Sequence, residues 1–382
     1  MIRSGIIGLG FIGPAHMEAL RRTGLSQVTA VADSNETLAR GCAQRFSVPG
    51  VYTDYRELVC SPEVDVVHIC APNYLHYDIA KAALEAGKHV VCEKPLTVST
   101  AQAEELVRLA EERKLVGVTS FNLRFYPLVQ QARAMVASGR LGKLYAYHGS
   151  YLQDWLLFET DYSWRLDSKI SGRSRAMADI GSHWMDMAEF ITGARVTSLC
   201  ADLATFLPVR KKPVGQVLTF QSAGDAEYED VKIDTEDFAA ILFRMDNGVR
   251  GSLTISQVSA GRKNCLQFEA DGSSDSLAWN SEQPNRLWIG HRDAYNEEII
   301  KDPGLLDEAA RPFAGFPGGH AEGFPDTSKQ LFQMVYEYIG REGHLRGETP
   351  GFPTFADGLR EIRICDAVLE SGRTGSWVDI AE

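Results

Sequence analysis

Along the first third of the chain, short apolar runs alternate with segments of helical period. The runs at 5–9, 28–32, 64–71, 89–92 and 115–119 are rich in β-branched residues and show little polar alternation. Strands of that kind are buried on both faces, so the pattern predicts a parallel sheet with right-handed helical crossovers. The segments at 15–22, 36–46, 76–86 and 100–114 have the spacing of those helices. Ser99 with Gln102 predicts a capping box at the fourth helix, and Gly24 and Gly87 stand where glycines close helices.

Beyond residue 120 the period changes. Strand-like runs at 144–151, 196–206, 238–245, 249–257, 265–271 and 286–289 follow one another with turn residues between them. Asp246-Asn247-Gly248 predicts a hairpin between two of these runs. Helical stretches fall at 185–192, closed by Gly193, and at 327–339 and 355–370. The pattern predicts two domains: an α/β doubly wound parallel sheet over residues 1–122, and an α+β domain over 123–382. The second is an open, mostly antiparallel sheet covered by helices on one face, and the C-terminal helix is free to pack back on the first domain. The Pro- and Gly-rich stretch 303–325 is expected to be a structured loop because of its aromatics, and Arg210-Lys211-Lys212 a solvated loop.

Length and charge narrow the function. A chain of 382 residues exceeds one ordinary domain. Lys+Arg 39 against Asp+Glu 51 gives a net charge of −12, and an acidic field repels phosphates, which excludes nucleic acid and anionic membrane as partners. No apolar run approaches the roughly 18 residues of a membrane span. The N-terminal segment enters a strand directly, without a signal-peptide pattern, so a cytoplasmic protein is expected. The cysteines, Cys42, Cys60, Cys70, Cys92, Cys200, Cys265 and Cys365, are odd in number and contain no C-x-x-C pair. They are expected to be reduced thiols rather than zinc ligands or disulfides.

Three segments carry candidate chemistry. Gly8-Leu9-Gly10-Phe11-Ile12-Gly13 joins the first strand to the first helix, Pro14 suits a first helical turn, and Asp33 ends the second strand. This is the phosphate-cradling fingerprint of a dinucleotide site: Gly8 for the turn, Gly10 for backbone approach, Gly13 for helix–strand packing and the acid for a ribose. Asp33 is followed by Ser34 without an adjacent cation, and its carboxylate would repel a 2′-phosphate, so NAD is expected over NADP. Arg40 belongs to a solvated helix face. Ala71-Pro72-Asn73 with His76, and Glu93-Lys94-Pro95, sit at carboxyl ends of strands, where doubly wound sheets bind ligands. An ion pair of Lys94 with Glu93 is the structural alternative. In the second domain Asp179 and His183 are four apart on a helix, the spacing at which a carboxylate orients an imidazole base. The alternative there is a capping acid and a core histidine. Asp186 shares that face, but no further ligands accompany it and no metal is expected. Gln153, Asp154 and Trp155, with His320, could line a pocket for a polyhydroxylated ring. A sheet core and a helix cap would explain the aromatics and His320 equally.

GLGFIGPAH, APNYLH, EKP at 93–95, FNLRFYP at 121–127, YSWR at 162–165, DIGSH at 179–183 and GGHAEGFPDT at 318–327 together resemble the glucose–fructose oxidoreductase/inositol dehydrogenase (Gfo/Idh/MocA) superfamily, nearly end to end. The resemblance implies an N-terminal Rossmann domain, a C-terminal open-faced sheet used to form homodimers or homotetramers, and a cis peptide before Pro95. It implies that Lys94 contacts the reacting hydroxyl and nicotinamide ribose, that His183 is the acid/base, and that Asp179 positions substrate or tunes the pair. It also places Arg124, Tyr162 and Arg165 near nicotinamide or substrate. The expected activity is hydride transfer from a secondary hydroxyl of a sugar, sugar derivative or cyclitol to NAD. Two other classes stand beside it: a glycoside 3-oxidising or glycoside-cleaving enzyme that recycles its cofactor, and a non-catalytic NAD or sugar sensor.

Overall fold

The computed structural model describes residues 1–214 and 227–381. In chain order the first elements are β1 (Ile2–Ile7), α1 (Ile12–Thr23), β2 (Ser26–Ala32), α2 (Glu36–Phe46), β3 (Gly50–Tyr52), α3 (Tyr55–Cys60), β4 (Val66–Ile69), α4 (His76–Glu85), β5 (His89–Cys92), α5 (Thr100–Arg113) and β6 (Gly117–Thr119). There follow α6 (Pro127–Ala137), β7 (Leu144–Leu152), a short α7 (Ser168–Ser171), a π turn (Met177–Gly181), α8 (Ser182–Thr192), β8 (Val196–Ala204), β9 (Val209–Pro213) and β10 (Tyr228–Lys232). The last are β11 (Phe238–Met245), β12 (Arg250–Ser256), β13 (Cys265–Gly272), β14 (Asp275–Asn280), β15 (Arg286–His291), β16 (Glu297–Ile300), α9 (Phe324–Gly340), α10 (Phe355–Thr374) and β17 (Val378–Asp379). Two compact units result: Met1–Asn122 with Lys169–Gly172 and Pro325–Ile362, and Leu123–Ser168 with Arg173–Phe324 and Arg363–Glu382.

The first unit is a six-stranded parallel sheet in the order β3-β2-β1-β4-β5-β6. The order reverses between β1 and β4, the switch point at which doubly wound sheets bind ligands. Ile7, Val67, Ile69, Val90 and Cys92 are buried on one face of the sheet and Ile6, Val66 and Val91 on the other, which is why these strands read as unbroken apolar runs. Asn35 and Asp54 cap α2 and α3, accepting from the Leu38 and Arg56 amides. Ser99 caps α5 through the Gln102 amide, but the Gln102 side-chain oxygen has no partner, so only half of the expected capping box forms. Residues from the chain's far end complete this unit. Phe332 and Tyr336 are buried, and Phe355, Leu359 and Ile362 join the sheet core. Phe355 explains Gly117: a Cβ there would lie 2.5 Å from its ring.

The second unit is a nine-stranded sheet, β16-β15-β14-β13-β7-β12-β11-β8-β17, antiparallel except where β12 meets β7. One face is covered: Trp184 of α8 packs on Tyr147 and Phe243, and Phe268 stacks on Tyr147. Gly248, at φ +90, closes the expected β11–β12 hairpin. The other face carries a cross-strand row of His148, Glu269, Ala278, Trp288 and Glu298. The expectation of a solvated basic loop at 210–212 is corrected. These residues form β9, paired with β10; Arg210 is fully buried against Asp237, and Lys211 and Lys212 pair with Asp230 and Glu229. Opposite charges facing across two strands hold each other in place, which a charge run alone does not reveal. All seven cysteines are unbridged, and among the described residues no helix is long and apolar enough to cross a membrane.

Candidate active site

In the first unit the glycine loop follows β1. Gly8 has φ +91, and a Cβ would lie 2.5 Å from the Cys70 backbone; at Gly13 one would lie 2.2 Å from the Gly8 carbonyl. These two glycines are required by the fold itself. Gly10 is not: its missing Cβ meets nothing within 4 Å. Glycine there leaves room for something outside the protein to approach the backbone. Phe11, the N-cap of α1, is exposed and makes no side-chain cap, at the end of the helix that carries its positive potential. Asp33 lies at the end of β2, its oxygens fixed by the Leu9 and Asn35 amides, both at 2.9 Å. Ser34 beside it is exposed, and Arg40 pairs with Glu36 as a solvated helix face. Open glycine backbone, an uncapped helix start and an oriented carboxylate fit a dinucleotide.

The two loops at the ends of β4 and β5 are braced together. His76 is fully buried, its ring nitrogens 2.8 Å from the Pro95 and Ala71 carbonyl oxygens. The ring expected to touch cofactor is thus sealed between the loops it holds, and Ala71 and Pro95 take their places from it. Asn73 donates to the Ser171 carbonyl at 3.1 Å. The Lys94–Pro95 bond is cis. Lys94 is half-buried, and the neighbouring Glu93 accepts from His16 at 3.0 Å. Burial would raise the Glu93 carboxyl, but the His16 hydrogen bond and the nearby charges of His16 and Lys94 outweigh it and hold it at about 2.

In the second unit Asp179 lies in the π turn that leads into α8 and His183. This turn is built by Glu236, whose carboxylate accepts from the Arg175 and Met177 amides and the Ser174 hydroxyl. Asp179 accepts from Gln257 at 2.8 Å and sits 3.5 Å from Arg165. The Gln257 amide is itself oriented, since its oxygen accepts from Arg175. Arg175, Asp237 and Arg210 form a fully buried triad with one carboxylate between two guanidiniums. His183 is nearly buried at 8 % exposure. π turns inside helices occur often at functional sites.

Other candidates are drawn elsewhere. Arg124 grips Asp186 through two hydrogen bonds and lies over Phe190, so Asp186 serves an ion pair. Asp154 is held by the Gly261 amide and the Lys263 ammonium. Gln153 and Tyr151 both bond Asn264, and Trp155 donates to Gln153. Tyr162 packs on a small cluster of Leu156, Leu166 and Ile233. His320 is exposed and turns onto the Gly318 carbonyl instead of capping α9. Its loop is fixed by a buried pair, Lys301 with Glu322 at 2.7 Å. Sequence reading missed Gln257, Arg175, Glu236 and Asp237. The adjacent acids Glu236-Asp237 ahead of an apolar strand were their only local signal.

The chain matches the family described as "Oxidoreductase family, NAD-binding Rossmann fold" (GFO_IDH_MocA) over residues 2–121 and the "GFO/IDH/MocA C-terminal domain" over residues 129–278. It is 30% identical over 393 aligned positions to the levoglucosan dehydrogenase of Pseudarthrobacter phenanthrenivorans, covering 99% of this chain and 98% of that protein. A structure of levoglucosan dehydrogenase with NADH and L-sorbose superposes with a TM-score of 0.89 at 28% identity, over 100% of this chain and 99% of the other. An inositol dehydrogenase homolog from Azotobacter vinelandii with NAD+ gives 0.86 at 27% identity, over 99% and 97%.

Proposed function

The chain belongs to the GFO/IDH/MocA oxidoreductase family, and from that premise we propose that it oxidises a secondary hydroxyl of a polyhydroxylated ring, with NAD preferred to NADP. The substrate class is a sugar, an anhydrosugar such as levoglucosan, or a cyclitol. The reading is carried by the oriented Asp179, one turn ahead of the nearly buried His183. NAD, when bound, supplies the ring that accepts hydride. The imidazole of His183 takes the hydroxyl proton, and its charge, once gained, is balanced by Asp179. The Lys94 ammonium, itself half-buried, is assigned the stabilisation of negative charge developing on the hydroxyl oxygen. Arg165 holds Asp179 from the side away from Gln257 and offers its remaining donors to substrate hydroxyls. Asp33 favours NAD because a 2′-phosphate would meet a carboxylate.

The protein is further proposed to work in a reducing compartment, the cytoplasm, where seven unbridged cysteines are stable, and to self-associate through the uncovered face of the nine-stranded sheet. The test is a single-turnover measurement with NAD across inositols, hexoses, anhydrosugars and glycosides. His183→Ala and Lys94→Ala should each lower the hydride-transfer rate by at least about 100-fold. Unchanged rates in both variants would remove the assignment. Aglycone release without net nicotinamide reduction would transfer the chain to the glycoside-cleaving class.

A further inference from the structure

The first unit contains a continuous hydrogen-bond chain that the chemistry above does not use. It begins at Glu93, just past the carboxyl end of β5, with Oε1 3.0 Å from His16 Nε2. His16 Nδ1 is 3.0 Å from His68 Nδ1, and His68 Nε2 is 2.9 Å from the Tyr336 hydroxyl. That hydroxyl is 2.6 Å from Ser4 Oγ, which in turn contacts Ser26 Oγ. His16, His68, Tyr336 and Ser4 are at most 1 % exposed, and Phe332 packs edge-on against both imidazoles. Ser26 is the first residue of β2, so the chain crosses the sheet from its carboxyl edge to its amino edge.

The proton count along this chain admits two ordered states. The Glu93 carboxylate accepts, so His16 Nε2 carries a hydrogen in both. Two Nδ1 atoms facing each other at hydrogen-bond distance share one proton. With His16 neutral, that proton is on His68. His68 Nε2 then accepts from Tyr336, Tyr336 accepts from Ser4, and every donor points toward Glu93. One proton taken up from solvent at Ser26, which is 8 % exposed, reverses the set, the Ser26 proton passing to Ser4. The Ser4 proton passes to Tyr336, the Tyr336 proton to His68 Nε2, and the His68 Nδ1 proton to His16 Nδ1. Each group ends with its original proton count except His16, now an imidazolium against Glu93.

We propose that this chain is a proton relay that sets the charge beside Glu93 and Lys94, with His16 as the switching ring, and thereby adjusts the relative affinity of the first unit for oxidised and reduced nicotinamide. The proposal rests on the reading that the Glu93–Lys94 loop meets the nicotinamide end of the cofactor. The oxidised ring is a cation and the reduced ring is neutral. With His16 neutral, the Glu93 and Lys94 charges cancel; with His16 protonated, a net positive charge opposes the oxidised form. The other titratable groups around the relay hold fixed states. Burial lowers His68 and His76 and keeps them neutral, the charge of His16 lowering His68 further. Burial, reinforced by Glu93, keeps the Cys70 and Cys92 thiols protonated. Burial also keeps Tyr336 a neutral phenol, and the more distant Asp65, paired with Arg3, stays ionised.

The experiment is calorimetric titration of the full chain with NAD+ and with NADH from pH 5.5 to 9, in two buffers of different ionisation enthalpy. The ratio Kd(NAD+)/Kd(NADH) should rise as pH falls, by at most tenfold per pH unit, and NADH should carry more protons into the complex than NAD+. His16→Gln keeps a donor for Glu93 but cannot gain a proton, so its ratio should be flat with pH. A flat ratio and equal proton uptake in the wild-type protein would overturn the relay while leaving the cofactor site intact. A pH-dependent ratio that survives in His16→Gln would overturn the role of His16. Failure of both nucleotides to bind would overturn the cofactor reading itself, and the relay with it.

Discussion

Replacing Asp237 with asparagine should destabilise the second unit more than any conservative surface change. Asp237 is fully buried, and one of its oxygens faces both Arg175 and Arg210, which are also fully buried. Its other oxygen accepts from the Leu207 amide at 3.1 Å. Asparagine keeps the volume but removes the charge and turns an NH2 group toward a guanidinium or an amide. Breaking a buried ion pair by neutralising one partner costs about 3–5 kcal/mol, because the remaining charge stays desolvated. Two guanidiniums are stranded here, which pushes the cost up. Each keeps other acceptors, though: Phe158 and Asp161 carbonyls for Arg210, Thr235 and Gln257 for Arg175. The lower part of the range, about 3 kcal/mol, follows.

Thermal unfolding followed by tryptophan fluorescence should therefore show a loss of about 6–12 °C for a body of this size. The pH dependence checks the cause. Burial alone would raise the Asp237 carboxyl, but Arg175 above all and also Arg210 hold it below its ordinary value. A carboxyl depressed in the folded state stabilises above its unfolded pKa of about 4, and that contribution is lost as pH falls through the folded value. Wild type and Asp237→Asn should thus converge in stability on acidification below about pH 4. Adding Arg210→Met to Asp237→Asn should recover part of the loss. A loss below about 1 kcal/mol, or a gap that does not narrow in acid, would refute the account of the triad.

Gly8→Ala should misfold the nucleotide loop, whereas Gly10→Ala should unfold at the wild-type temperature yet bind NAD at least tenfold more weakly by calorimetry, since only the latter's Cβ meets no protein atom. Asp33→Ala should shift the NADP/NAD ratio of kcat/KM toward NADP by about tenfold, the Coulombic worth of one partly screened carboxylate. Glu322→Gln should expose the 303–323 segment to limited proteolysis, because Lys301 loses its buried partner while still tied to the Phe316 and His320 carbonyls. Gln257→Glu should lower kcat and alter its pH profile by placing a second carboxylate against Asp179, with thermal stability measured alongside.

The elements read with correct bounds, α2, β5 and β11, have local signals strong enough to stand alone. α2 has an Asn35 cap and a left-handed Ser47 closing it, while β5 and β11 are apolar at every buried position. Of the elements missed, α6 has Pro127 in its first turn, a signal the reading passed over, while the short or charged ones lack such signals. β3 and α3 are three and six residues long, and β9 and β10 are charged strands stabilised by each other's charges. The π turn depends on Glu236, some 60 residues further along, and was beyond any window of local periodicity. The site divides in the same way. The spacing of the glycines, Asp33, Lys94, Asp179 and His183 is local. The partner a side chain takes is not: nothing near Arg124 points to Asp186, and nothing near Asp154 points to Lys263.

Both carboxylates that stand beside the proposed reactive groups are oriented by side chains locked in the interior. Glu93 is held by His16, and Asp179 by Gln257, which Arg175 fixes in turn. The choice of an amide at 257 follows from its neighbours. It must donate to a carboxylate on one side and accept from a guanidinium on the other, while adding no charge to a site with Arg165 and Asp179 already paired. Glutamate would satisfy Arg175 and repel Asp179; lysine or arginine would satisfy Asp179 and repel Arg175. Glutamine meets both with one planar group, so the buried triad transmits its rigidity to Asp179 without transmitting its charge. At position 16 the geometry differs, because the imidazole meets Glu93 with one nitrogen and His68 with the other, the two contacts the proposed relay needs. A fixed dipole on one carboxylate and an imidazole on the other therefore set Asp179 in a constant field and give Glu93, ionised throughout, a partner whose charge the proposed relay would change.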